Sequence, residues 1–135
     1  MKVVAYADGA SRGNPGLSSF GAVVFDTDGN TLREVSQAIG RTTNNVAEYR
    51  GAIAALEAAL DLGASDIELR MDSQLAVRQL TGRYKVRAPG LIPLHERARQ
   101  LLSSFDRASV EHVPRERNKD ADRLANAALD GNPSP

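Results

Sequence analysis

The sequence predicts an α/β fold: a mixed five-stranded sheet, three antiparallel strands then two parallel ones, flanked by about four helices. Three observations carry this reading. The first 40 residues hold three β-rich segments joined by turns containing Gly, Asn and Pro. From residue 44 onward, stretches with apolar residues at steps of three and four alternate with short β-rich runs. Strands that arrive by helical crossovers lie parallel to the first strand. With 135 residues, 41% hydrophobic and 25% charged, the chain has the size and apolar content of one folded domain. That balance argues against disorder.

The elements follow in order. Lys2–Ala7 reads as a strand ending at Asp8, and Asp8–Gly16 as a loop, because Gly, Asn and Pro interrupt a ladder. Phe20–Phe25 resumes as a strand, Asp26–Asn30 turns, and Thr31–Ile39 returns as an outer strand through Leu32, Val35 and Ile39. A long helix carries the stripe Val46, Tyr49, Ile53, Leu56 and Leu60, with Asn44 or Asn45 as its N-cap and Gly63 at its end. Asp66–Met71 is a fourth strand and Ser73–Leu80 a helix capped by Asp72 or Ser73. Gly82–Gly90 is irregular and basic, Ile92–Phe105 is a helix, Ser109–Val113 a fifth strand and Ala121–Leu129 a last helix. There is no internal repeat.

Composition narrows the function classes. No apolar run approaches the ~20 residues of a membrane helix, and Asp8 interrupts the N-terminal apolar run too early for a secretory signal. Without cysteine, disulfides, thiolate catalysis and cysteine-ligated zinc are excluded. A cytoplasmic protein is the resulting expectation. Formal net charge is zero, but residues 1–80 hold 7 Lys/Arg against 10 Asp/Glu while residues 81–135 hold 10 against 7. These balances of −3 and +3 leave room for a basic surface beside an acidic site.

Four acids stand out by position. Asp8 closes the first strand, Asp72 follows the fourth, Glu48 lies in the first turn of the long helix and Asp122 opens the last helix. Strand C-termini and helix N-termini share one edge of such a sheet, where sites collect. Four carboxylates gathered there need a counter-charge, and oxygen-only ligands suit Mg²⁺ or Mn²⁺. Two such ions, ~4 Å apart, can activate water and stabilise a leaving 3′-oxygen in phosphodiester hydrolysis. Taken singly, Asp72 also reads as a helix cap, Asp122 as a helix N-terminal charge, and Glu48 as a partner of Arg50 or Arg41. Position alone leaves both readings open.

Local motifs add a resemblance. Tyr6-Ala7-Asp8-Gly9-Ala10-Ser11-Arg12-Gly13-Asn14-Pro15-Gly16, Thr42-Thr43-Asn44-Asn45-Val46-Ala47-Glu48, Met71-Asp72-Ser73-Gln74 and Asn118-Lys119-Asp120-Ala121-Asp122-Arg123-Leu124-Ala125-Asn126 occur in this order. In these blocks, over roughly residues 2–129, the chain resembles the ribonuclease HI family (type 1 ribonuclease H) and its ribonuclease H-like fold. The resemblance implies endonucleolytic hydrolysis of RNA in RNA–DNA hybrids by two metal ions, Mg²⁺ or Mn²⁺, leaving 5′-phosphate and 3′-hydroxyl ends. It implies Asp8, Glu48, Asp72 and Asp122 as metal ligands, with Asp120 a nearby rival for the fourth place. It places Asn14, Asn44, Asn45 and Gln74 against the minor groove, where amides can both donate to and accept from 2′-hydroxyls. Gly13 and Gly16 would let the loop backbone approach RNA, and Arg41 and Thr43 would hold a DNA phosphate. For Asn44 and Asn45, helix capping stands beside this role, and for Gly16 an ordinary turn.

Two departures from the family pattern matter. Many relatives carry a histidine in the loop before the last helix, whereas this loop reads His112-Val113-Pro114-Arg115-Glu116-Arg117-Asn118. His112 belongs to the fifth strand, so Arg115 takes the candidate role, as in a subgroup with a Val-Pro-Arg-Glu loop. An arginine there acts electrostatically, because it cannot serve as a base near neutral pH. The chain also lacks the basic helical protrusion of some relatives, having only Thr81–Pro93 and no Trp. Tyr84, with Arg83, Lys85 and Arg87, is the candidate lining for a DNA-strand channel; a solvated basic loop is the alternative.

Two other readings stand beside the hybrid nuclease. One is another nuclease of the superfamily, and the other a weak or inactive module that binds RNA or hybrids. Residues 1–130 read as the ribonuclease H domain and 131–135 as a linker-like tail. Similar domains in some bacteria are joined to a histidine-phosphatase domain, so a fused C-terminal partner of that kind is an expectation. No obligate separate protein partner and no membrane association are implied.

Overall fold

The computed structural model describes residues 1–131; most of the linker-like tail, 132–135, lies outside the described residues. The five strands are β1 (Lys2–Arg12), β2 (Gly16–Phe25), β3 (Thr31–Thr42), β4 (Asp66–Met71) and β5 (Arg107–His112). The helices are α1 (Asn44–Asp61), α2 (Gln74–Leu80), α3 (Ile92–Leu102) and α4 (Lys119–Asp130), with a 3₁₀ turn at Arg115–Arg117. They build one sheet of order β3-β2-β1-β4-β5. The β1–β2 and β2–β3 pairs are antiparallel, and β1–β4 and β4–β5 are parallel, as the crossovers predict.

The first hairpin is longer than its composition predicts. Residues Asp8–Arg12, expected as loop, continue β1 and pair with β2 from Asp8↔Gly21 to Arg12↔Leu17. The turn shrinks to Gly13–Pro15, because a paired backbone satisfies its polar groups where a loop would leave them to solvent. Asp8 is therefore a mid-strand residue. It lies one step beyond Ala7↔Met71, the last β1–β4 pair, so it stands beside Asp72 where β4 stops.

Helix capping also differs from expectation. Thr43 caps α1, its hydroxyl accepting from Val46 N–H at 3.2 Å, so neither Asn44 nor Asn45 is spent on that bond. Glu48 consequently sits just past the first turn of α1. Ser73, one of the two expected caps, closes α2 by accepting from Ala76 N–H at 3.2 Å. The last helix begins earlier than predicted, at Lys119, which puts Asp122 within its first turn.

The sheet is covered on both faces. α1 crosses β1 and β2 on one side and joins α3 there, while α4 lies across β2, β1 and β3 on the other. The face that α1 lays on the sheet is rich in small residues, with Ala47, Gly51, Ala52, Ala55 and Ala59 buried beside Tyr49 and Leu56. Of the predicted stripe, Val46, Ile53 and Leu60 are only partly buried. Small side chains win the sheet-facing positions because the helix comes to backbone contact distance. A Cβ on Gly9 would stand 2.5 Å from Ala47 C and from Glu48 N. On the other face, a Cβ on Gly21 would stand 2.6 Å from Ala125 N and collide with Ala121 O. Ser19 and Ser36 add hydroxyl bonds to the Ala125 and Leu124 carbonyls, fixing α4 along the strands.

Gly21→Ala is therefore expected to destabilise the fold by about 1–3 kcal/mol, the usual cost of overpacking. A Gly29→Ala control, at a turn whose Cβ meets nothing, tests strain at positive φ alone. Chemical denaturation of both variants checks the ranking.

Candidate active site

The extended hairpin, the helix caps and the close helix packing bring the four sequence-predicted carboxylates together around the middle of β1, where β4 stops. Asp8 shares its sheet face with Gly21, its β2 partner, and so points toward α4. Glu48 is brought in by the contact of α1 with Gly9, and Asp72 by the end of β4. One carboxylate oxygen from each of Asp8, Glu48 and Asp72 lies within 4.8 Å of the others. Asp122 stands outside that triad, but all four line one cavity of about 400 Å³.

The electrostatics of this cluster are unfavourable by themselves. Asp8 and Glu48 are each only 5% exposed. Burial, then the charges of Glu48 and Asp72, push the Asp8 carboxyl up to about 9, with a hydrogen bond and charge from Asp122 adding to the rise. Burial, then the charge of Asp72, pushes Glu48 up to about 7, against the opposing pull of the Gly9 amide. Glu48 Oε2 is buried without a hydrogen-bond partner among the described residues. An all-oxygen donor set, a raised pair of carboxyls and an unpartnered buried oxygen fit a hard divalent cation. Such an ion supplies the missing partner and the missing positive charge together.

The other predicted residues divide by position. Arg115, on the 3₁₀ turn, lines the same cavity and holds Nη2 3.9 Å from Asp122 Oδ1 while remaining solvent-exposed. Asn44 lines it too, and its backbone N–H donates to Asn14 Oδ1 at 3.1 Å, which ties the β1–β2 turn beside Gly13 to the start of α1. Thr43, Asn45 and Arg41 follow one another near that helix start, with Asn45 and Arg41 exposed. Gln74 opens α2, two residues beyond Asp72, and is exposed. Tyr84 lies beyond the other end of α2, where its hydroxyl accepts from Arg78 Nη1 at 2.8 Å. Asp120, the rival acid, is 3.9 Å from Arg123 and lines a different cavity.

Sequence reasoning nominated no role for Ser11, Asn126 or Asn118. Ser11 and Asn126 line the carboxylate cavity. Asn126 Nδ2 donates to the Asp122 carbonyl at 2.9 Å, and its spacing of four from Asp122 was the available signal. Asn118, only 1% exposed, donates from Nδ2 to the Ala7 carbonyl at 3.0 Å. It thus clamps the start of α4 to the residue before Asp8. No spacing rule reveals a bond across 111 residues.

A sheet of this order, with carboxylates gathered at the centre of one edge, defines a ribonuclease H-like α/β protein. A family model described as reverse transcriptase-like matches residues 6–128. The structure of the N-terminal RNase H domain of Rv2228c from Mycobacterium tuberculosis superposes with a TM-score of 0.94 at 55% identity, covering 96% of this chain and 99% of that one. LC11-RNase H1, solved in complex with an RNA/DNA hybrid, gives a TM-score of 0.90 at 42% identity, covering 96% and 98%. Ribonuclease HI of Halobacterium salinarum is 55% identical over 129 residues, 96% of this chain. The chain belongs to the ribonuclease HI family. It spans 65% of the length of the Halobacterium protein. Of the bifunctional protein Rv2228c it spans 36%.

The raised Asp8 carboxyl sets a pH dependence of stability. Between the ordinary value of 3.8 and about 9, the folded state keeps a proton that the unfolded chain has released. Stability of the metal-free protein therefore falls as pH rises through that window, the reverse of an ion-paired carboxylate. Thermal unfolding in chelator should show a Tm that declines from pH 5 to pH 9. Asp8→Asn should flatten the decline and raise the Tm at pH 8, by at least about 1.4 kcal/mol in stability, the worth of one pKa unit. A Tm independent of pH in the wild type would contradict the electrostatic account.

Proposed function

We propose that the chain is a divalent-metal-dependent endoribonuclease that hydrolyses the RNA strand of RNA–DNA hybrids, leaving 5′-phosphate and 3′-hydroxyl ends. The single observation that supports it best is the convergence of Asp8, Glu48 and Asp72 oxygens within 4.8 Å, with one Glu48 oxygen buried and unpartnered. Family membership and the hybrid-bound LC11 relative point the same way.

In this reading Asp8, Glu48, Asp72 and Asp122 hold Mg²⁺ or Mn²⁺, two ions per site with substrate. Bound there, the ions lower the pKa of a water and offset charge on the leaving 3′-oxygen. The protein's own contribution is placement. Asn14, Asn44, Asn45 and Gln74 present amides that match 2′-hydroxyls, and Thr43 leaves those of Asn44 and Asn45 free of capping. The Thr43 hydroxyl accepts from Val46 N–H, so its proton remains to donate to a DNA phosphate beside Arg41. Arg115 attracts the scissile phosphate to the carboxylate edge without taking a proton. Gly13 keeps the neighbouring turn free of side chain, and Tyr84 offers an exposed ring to the DNA strand. Residues 1–130 act as the nuclease unit, and the bifunctional relative Rv2228c, of which the chain spans 36%, supports a second domain fused to it in the whole protein. The proposed location is the cytoplasm; among the described residues no helix is long and apolar enough to cross a membrane.

Cleavage of a labelled hybrid in Mg²⁺, Mn²⁺ and chelator tests the proposal. The wild type should cut the RNA strand only with metal, and Asp72→Asn should lose at least about 100-fold, the scale for removing an electrostatic stabiliser. Hybrid binding without cleavage in either metal would instead establish an inactive binding module.

A further inference from the structure

The basic residues around α2 take no part in the carboxylate site, and they converge on a second cavity. This cavity, about 350 Å³, lies between α2 and β5 and is lined by Arg78, Arg83, Gln74, Thr81 and His112 over Val77 and Val110. None of these residues is acidic. The ion pairs of the described residues engage Arg12, Arg33, Arg70, Arg97, Arg115 and Arg123, and none engages Arg78 or Arg83. Two guanidiniums thus face one space with no carboxylate to balance them. By contrast, the cavity between Tyr6, Phe25 and Arg70 includes Asp26 and Asp120, and its Arg70 already pairs with Glu68.

The arrangement is held in place. Arg78 donates to the Tyr84 hydroxyl and its guanidinium lies 5.3 Å from the centre of that ring, while Arg83 N–H donates to the Arg78 carbonyl at 2.8 Å. The bond to Tyr84 uses one nitrogen of Arg78 and leaves the rest of the fork free. The cavity adjoins the carboxylates along the sheet edge. His112 pairs with Met71, the residue before Asp72, and Gln74 is two residues past Asp72. Neighbouring strands are about 4.8 Å apart, so the edge passes from Asp8 on β1 and Asp72 just after β4 to His112 on β5 within about one strand spacing of Asp72. Arg78 on α2 and Arg83 just beyond it face the same cavity as His112.

We propose that this cavity seats a backbone phosphate of the bound nucleic acid, on the β5 side of the carboxylates. The inference rests on the hybrid-nuclease reading. Arginine forks suit phosphate oxygens, and the Gln74 amide and His112 imidazole add donors. A phosphate seated here supplies the counter-charge that Arg78 and Arg83 lack. It anchors the strand at a second point, which compensates for the missing basic protrusion.

The test compares Arg78→Gln/Arg83→Gln with Arg83→Gln alone and with Arg107→Gln. Arg107 is exposed at the far end of β5, outside the proposed contact. Hybrid binding is read by fluorescence anisotropy between 50 and 300 mM KCl in an Asp72→Asn background, and cleavage in otherwise wild-type protein. The double variant should bind about 10-fold more weakly, the scale of a lost charge-assisted contact. Its slope of log affinity against log salt should fall by about 1. KM should rise while kcat stays within about 2-fold, and Arg83→Gln should show part of the effect if the double variant unfolds. Unchanged affinity and slope, or an equal loss in Arg107→Gln, would overturn the proposal while leaving the nuclease reading intact. A wild type that neither binds nor cuts the hybrid would overturn both.

Discussion

Backbone contact between β1–β2 and the two helices on their faces is the constraint from which the rest of the structure follows. Gly9 lets α1 approach until Ala47 and Glu48 touch the strand, and Gly21 lets α4 approach until Ala121 and Ala125 do the same. A Cβ at either place would collide with helix backbone and push outward the helix that carries Glu48 or Asp122. The Ala-rich face of α1 is the other half of this arrangement. Large side chains would bury more area, but they would hold the helix too far away to deliver Glu48 to Asp8.

Close packing also explains how the protein tolerates an unfavourable site. Burying Asp8 and Glu48 beside Asp72 opposes folding, and it raises both of their proton affinities. The opposing stabilisation comes from elsewhere, in the continuous core of β1, β2 and β4 against α1 and α3. Because helix and strand are locked at backbone distance, the backbones that carry Asp8 and Glu48 cannot move apart. The Asn118 clamp on Ala7 and the serine bonds to α4 extend the same rigidity to Asp122. The donor set a cation would use is thus already assembled in the metal-free fold.

Charge along the edge has an order that the total conceals. Formal net charge is zero, yet the acids gather beside the middle of β1 where β4 ends, and Arg78 and Arg83 gather between α2 and β5. In the proposed reading, a polyanion lying across the edge meets the carboxylate oxygens at one point and guanidiniums at the next. Neutrality overall limits indiscriminate attraction to phosphates, and local separation of sign provides orientation.

Much of this was legible in one dimension. Strand and helix periodicities and the crossovers follow from local patterns, because alternation, helical spacing and turn chemistry are short-range properties. The acids Asp8, Glu48, Asp72 and Asp122 stood out by their place at element ends, and the resemblance to ribonuclease HI added weight to the metal reading. Local patterns failed where pairing partners decide conformation. Asp8–Gly9 has loop composition but becomes strand because β2 lies alongside to pair with it. Thr43 rather than Asn44 or Asn45 caps α1, since β3 extends to Thr42 and sets where the helix begins. Asn118 and Ser11 acquire meaning only from residues distant in the chain. Local pattern fixes the order of the elements and the chemistry of the donors. Which donors meet is settled in three dimensions, because backbone contact at Gly9 and Gly21 is a distance in space that no spacing along the chain encodes.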